Sequence, residues 1–120
     1  MNITVVGAGK IGRAIIDSLN KEGHDISVID KDSKVIDFLN NSYDLMCVCG
    51  NGINIENLEA ISMKNCNLFV ACTGSDEHNM LSCLIAKSLG AKYTVARVRN
   101  SEYAGDKLSY IKQNIDISMI

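Results

Sequence analysis

Asn2-Ile3-Thr4-Val5-Val6-Gly7-Ala8-Gly9-Lys10-Ile11-Gly12 joins a short β-branched run to three glycines in the pattern G-x-G-x-x-G. From Lys10 to Glu22 the apolar residues take helical spacing, with Ile11, Ile15 and Leu19 every four positions and Ala14 and Ile16 beside them. A strand that ends in such a turn and opens a helix is the context in which the triplet cradles phosphate. Gly7 permits the tight turn, Gly9 lets backbone approach the phosphates, and Gly12 lets the helix pack on the strand. Backbone N–H groups and the helix dipole then hold the negative charge. Gly7, Ala8, Gly9, Lys10, Ile11 and Gly12 are therefore expected to form a phosphate site. The bland alternative is a glycine-rich turn with no ligand.

The next strand, Asp25–Asp30, ends in an acid 23 residues after Gly7. A carboxylate there accepts hydrogen bonds from the ribose hydroxyls of an adenosine. A 2′-phosphate would meet a like charge, at a cost of roughly 1–4 kcal/mol near the surface. Lys31 is offset by Asp32, so NADP is disfavoured. The diol does not separate NAD(H) from ATP, ADP or AMP, and both readings stay open. Lys10 and Arg13, in the first turn of the helix, either meet distal phosphates or are solvated surface cations.

Strand-like and helix-like segments alternate to the end. Ser33–Asn40 is a helix capped by Asp32, with Val35, Ile36 and Leu39 inward. Leu45–Cys49 is a strand, Asn54–Ser62 a short helix and Asn67–Cys72 a strand. Ser75–Leu89 is the longest helix, capped by Ser75. Tyr93–Val98 is a strand, Glu102–Gln113 a weaker helix and Ile115–Ile120 a sixth strand. Such alternation predicts an α/β, Rossmann-type doubly wound parallel sheet of about six strands in the order 3-2-1-4-5-6, with helices on both faces. The strands read as nearly continuous apolar runs, as doubly covered strands do.

Ligands bind at the carboxyl edge of such a sheet. Two further loops lie there. Gly50-Asn51-Gly52, read as flexible and polar, either closes over the adenine or is only a turn. Cys72-Thr73-Gly74 lies across the switch point, where the following Asp76 and Glu77 disfavour a second phosphate and suit ribose hydroxyls or a cation. Arg97 and Arg99 alternate along the fifth strand, so Arg97 pairs with an acid or reaches the crevice. His24 and His78 read as solvated histidines, and Asp76 and Glu77 as capping acids. On the long helix, Met80, Leu81, Cys83, Leu84, Ile85, Ala86 and Leu89 wrap more of the circumference than one sheet face covers, which points to self-association as a homodimer or ring through helix 75–89.

Composition narrows the setting. With 120 residues, 47% hydrophobic, 22% charged and a net charge of −2, the chain is expected to form a single globular domain over 1–120. The mild acidity gives no footprint for nucleic acid. No apolar run approaches the ~20 residues of a membrane helix, so no direct membrane insertion is expected. The start carries no basic leader, and the expected compartment is the cytoplasm. The five cysteines form no CxxC pair and predict no metal site. The chain stops inside its last expected strand, as a piece of a longer protein would.

Taken together, the motifs resemble the Trk/Ktr potassium-uptake regulatory domain, the TrkA-N or RCK-N family, over essentially the whole chain. Gly7–Gly12 matches its glycine motif and Val28-Ile29-Asp30 its second-strand acid. Thr73 with Asp76-Glu77-His78-Asn79 matches T-x-x-D-E-x-N; Ala86-Lys87, Ala96-Arg97-Val98 and Glu102-Tyr103 match its later elements. Gly50-Asn51-Gly52 stands where the family usually has Gly-Asp-Ala, so Asn51 departs from an acid. The resemblance implies a non-enzymatic regulator that binds NAD(H) or adenine nucleotides, assembles as dimers or rings and gates a membrane potassium transporter or channel at the inner face of the membrane. The alternative is the cofactor-binding half of an NAD-dependent oxidoreductase.

Overall fold

The computed structural model describes residues 1–103, 109, 110, 112, 118 and 119. Its strands serve two apolar faces at once. In β1 (Asn2–Val6), Ile3 and Val5 face one side and Val6 the other, all buried. In β2 (Asp25–Asp30), Ile26 and Val28 take the first side and Ile29 the second. The helix α1 (Lys10–Lys21) and α2 (Ser33–Ser42) pack on the first side through Ile16 and Leu39. α3 (Ile55–Ala60) and α4 (Asp76–Ser88) cover the second with Leu58, Met80, Cys83 and Ala86, against Phe69 and Ala71 of β4 (Leu68–Ala71).

β3 (Met46–Cys49), β5 (Tyr93–Ala96) and a two-residue β6 (Ser118–Met119) complete a parallel sheet ordered β3-β2-β1-β4-β5-β6. β1 lies centrally, with Val6 opposite Ile29 on one side and Ala71 on the other. This is the expected order. The two expected caps match: Asp32 accepts from the Lys34 N–H at 2.9 Å and Ser75 from His78 at 3.2 Å, while Asn54, read as the first residue of its helix, caps it by accepting from Asn57 at 3.1 Å.

Three local expectations change, and a fourth lies mostly outside the described residues. Ile11 is not inward; it is 41% exposed, whereas Gly12 and Ile16 are buried. Gly12 lies against the Gly7 carbonyl, and Ile15 and Leu19 pack on the core beside Ile16. α3 is shorter than expected, because Ser62 takes a left-handed φ of 59° and a 3-10 turn, Met63–Asn65, follows. β5 stops at Ala96 rather than Val98, since the backbone beyond it is captured by α4 side chains. The helix expected over Glu102–Gln113 lies mostly outside the described residues; Ser101–Tyr103 forms a 3-10 turn. Of the strand expected over 115–120, Ser118 and Met119 pair with Val95 and Ala96.

Candidate functional site

β1 and β4 are neighbours, yet the chain leaves them toward opposite faces. The loops therefore part above their carboxyl ends and open a cleft of about 670 Å³ at the topological switch point. Gly7, Gly9, Lys10, Ile11, Asp30, Lys31, Gly50, Asn51, Gly52, Cys72, Thr73, Gly74 and Arg97 line it. Ala8 and Gly12 do not, for both are buried beneath the turn. Arg13 also stands outside: its Nε donates to the Ala8 carbonyl at 3.1 Å and its guanidinium stacks on Phe38.

The three glycines of the turn answer to different demands. Gly7 has φ +92°, and a Cβ there would lie 2.9 Å from the Thr73 nitrogen. A Cβ on Gly12 would overlap the Gly7 carbonyl oxygen. At Gly9, by contrast, a Cβ would meet nothing within 4 Å. Gly9 is also the N-cap of α1 and offers no side chain to it, unlike the caps of α2, α3 and α4. The first N–H groups of α1 thus face the cleft without a side-chain acceptor.

Asp30 stands across this turn. Its Oδ2 accepts the Ala8 N–H at 2.8 Å and its Oδ1 the Asp32 N–H at 2.8 Å. Each carboxylate oxygen keeps a second lone pair for a hydroxyl donor. Asp30 therefore anchors the glycine turn as well as forming the cleft wall.

The Gly50-Asn51-Gly52 loop is pinned rather than flexible. The Gly50 N–H donates to the Asp30 carbonyl at 2.9 Å, Asn57 Nδ2 to the Asn51 carbonyl at 3.0 Å, and Ile53 N–H to Asn51 Oδ1 at 3.1 Å. Gly52 is buried so closely against Val6 that a Cβ would overlap it.

On the far wall, Asn79 holds Thr73 and the carbonyl of Arg97. Arg97 lines the cleft half-buried and forms no ion pair among the described residues. The expected acid partner is absent there, and the crevice reading fits. Arg99 instead turns outward and donates through Nη2 to the Gly74 carbonyl at 3.1 Å. The Cys72 thiol, donating to the Val6 and Gly7 carbonyls, is pushed up to about 11 by burial. Among the described residues no group of three or more His, Cys, Asp or Glu could hold a metal ion.

With this geometry in view, the likeness to known proteins is specific. The TrkA-N domain family matches residues 3–117. The chain belongs to that family. A relative, the Trk system potassium uptake protein TrkA homolog of Methanothermobacter thermautotrophicus, is 32% identical over 103 residues, covering 86% of this chain and 48% of that protein. This TrkA-N domain therefore spans about half the length of that relative. Among solved structures, the TrkA-N domain of the inner membrane protein ybaL from Escherichia coli superposes with a TM-score of 0.85 at 17% identity, covering 99% of this chain and 85% of that one. The GsuK channel bound to NAD gives 0.80 at 21% identity, covering 99% and 21%, and the same channel is also seen bound to ADP. These likenesses show a shared fold.

Several residues of this TrkA-N domain were not legible as part of the site. His78, set aside as a solvated histidine, is exposed but stands on the cleft wall with Ser75 and Ile53. Asp76 is no mere capping acid: it is buried and accepts the N–H groups of Arg99 at 3.1 Å and Asn100 at 2.7 Å. Glu77 accepts the Tyr103 hydroxyl at 3.0 Å, which raises that hydroxyl's pKa. The signal was present in the T-x-x-D-E-x-N, A-R-V and E-Y elements, but only as separate pieces. The family motif is largely a hydrogen-bond circuit joining α4 to the backbone after β5.

Proposed function

We propose that the cleft binds an adenine nucleotide with an unphosphorylated ribose, NAD(H) or ATP, ADP or AMP, as a signal rather than a reactant. The carrying observation is Gly9: it is not demanded by packing, its Cβ direction is open, and it heads a helix without a side-chain cap. Phosphate at that point accepts the N–H groups the protein leaves unused. Asp30 then receives the ribose hydroxyls, and Lys10, Lys31 and Arg97 supply positive charge around the phosphates. Ile53, above the buried Val6 and Ile29, offers the base an apolar surface beside the Gly50-Asn51-Gly52 loop. Asp30 opposes a 2′-phosphate, so NADP is the poorer ligand. NAD and ADP in the GsuK channel structures support this ligand class.

The biological role follows the relatives: a regulatory domain of a membrane potassium transport system, located at the cytoplasmic face through its partner and responding to nucleotide by favouring one arrangement of an assembly. Leu81 and Leu84, 42% and 38% exposed on α4, provide an apolar face for a second copy. The Cys72 thiol, buried and donating to the Val6 and Gly7 carbonyls, is not available as a nucleophile in the cleft. The deciding test is ligand-dependent melting. NADH or ADP at 100 times its Kd adds about 2.7 kcal/mol, while NADPH at the same concentration adds less. No rise in Tm with any adenine nucleotide overturns the reading.

A further inference from the structure

Arg13 stands one turn beyond Gly9 on the exposed face of α1. An arginine in that place ordinarily extends into water or toward an acid. Arg13 instead folds back along its own helix. Its Nε donates to the Ala8 carbonyl at 3.1 Å, and its guanidinium carbon lies 4.7 Å from the centre of the Phe38 ring on α2. A planar guanidinium can make both contacts at once, which a lysine cannot.

The Ala8 carbonyl and the Gly9 N–H belong to one planar peptide, and the described residues contain no cis bonds. The two groups therefore point in opposite directions. With the carbonyl held toward Arg13 and α2, the Gly9 N–H is turned away from α2, and Gly9 itself lines the cleft. The preceding peptide is held independently, because Asp30 accepts the Ala8 N–H at 2.8 Å. The Gly7–Ala8 peptide is thus held by Asp30 and the Cys72 thiol, and the carbonyl of the Ala8–Gly9 peptide by Arg13.

We propose that Arg13 is a positioning residue for the nucleotide's phosphate. By holding the Ala8 carbonyl it keeps the Gly9 N–H directed at the anion. It also prevents the Ala8–Gly9 peptide from turning over, which would present a carbonyl oxygen to a phosphate. Phe38 steadies the arginine in that pose. The proposal rests on the nucleotide reading of the cleft and names how one of its phosphate donors is oriented.

The test compares ADP with adenosine, which carries the base and ribose but no phosphate, on the whole chain by calorimetry and ligand-observed NMR. Arg13→Ala is expected to weaken ADP about tenfold, the scale of a hydrogen bond to a charged group, and to leave adenosine unchanged. Phe38→Leu keeps the arginine's charge and removes only the ring, and is expected to weaken ADP roughly threefold, again sparing adenosine. Either variant binding ADP as tightly as the wild type, or losing ADP and adenosine equally, overturns the proposal. A wild-type chain that binds neither overturns the nucleotide reading, and this proposal with it.

Discussion

Asn79 Oδ1 accepts both the Thr73 hydroxyl, at 2.6 Å, and the Thr73 N–H, at 2.9 Å. Its amide nitrogen donates to the Thr73 and Arg97 carbonyls at 3.1 and 2.9 Å. Wholly buried, Asn79 ties the loop after β4, the first turns of α4 and the end of β5 together. Asn79→Ala removes the side-chain partner of the Arg97 carbonyl and of the Thr73 N–H and carbonyl, while the Thr73 hydroxyl keeps Ser75. It is expected to cost about 3 kcal/mol, since buried polar groups without partners are expensive, and to weaken ADP as the Thr73-Gly74 wall loosens. Urea denaturation checks the first and calorimetry the second; a loss below about 0.5 kcal/mol, the range of ordinary surface changes, contradicts the assignment.

Gly9 and Gly12 share a motif but should fail in opposite ways. Gly12→Ala forces a Cβ into the Gly7 carbonyl and is expected to cost about 3 kcal/mol or more, as overpacking against backbone does. Gly9→Ala meets no protein atom, and φ −73° suits alanine. It is expected to fold within about 1 kcal/mol of wild type while losing ADP or NADH affinity about tenfold or more, where a methyl occupies phosphate space. A Gly9→Ala chain that binds normally would show that the phosphate lies elsewhere.

Asp30→Asn separates ribose recognition from charge. Loss of the carboxylate weakens NADH, because one of its acceptor oxygens becomes a donor. It also removes the like-charge penalty on a 2′-phosphate, so the preference for NADH over NADPH is expected to narrow by about tenfold, within the range set by Coulomb's law near a surface. Paired titrations with the two cofactors measure it. An unchanged ratio displaces Asp30 from the ribose.

The buried thiols give the fold an alkaline limit. Burial pushes Cys83 from its ordinary 9.0 up to about 12 and Cys72 to about 11. A folded pKa raised above the unfolded one contributes stability that is complete below pH 9. It is lost as pH rises, because the unfolded chain releases those protons first. Stability should therefore fall between pH 9 and about 12, and Cys83→Ala or Cys72→Ala should flatten part of that slope in pH-dependent denaturation. At neutral pH the exposed Cys49 should react with a thiol reagent before the buried Cys66, Cys72 and Cys83. Equal reactivity of all five contradicts the packing.

What local sequence carried, the structure repeats. Strand order, the caps at Asp32 and Ser75, and most of the residues that line the cleft beside the glycine turn were legible, because they depend on periodicity, capping chemistry and glycine spacing within a few residues. The exposure of Ile11 was not. Of the four-residue repeat Ile11, Ile15 and Leu19, the last two pack on the core beside the buried Ile16, while Ile11 is exposed at the mouth of the cleft.

The amino-acid sequence by itself determined a doubly wound α/β fold of the TrkA-N family with a glycine turn and Asp30 at its switch point. Tertiary structure alone decided what each remaining motif residue does. Asp76 meets Arg99 and Asn100, Glu77 meets Tyr103, Asn79 meets Arg97, and Asp30 meets Ala8. These partners lie 18 to 26 positions apart in the chain. Parallel pairing of β1, β4 and β5 is what brings their loops to one edge, and no spacing rule within a single helix or strand specifies a hydrogen bond across that distance.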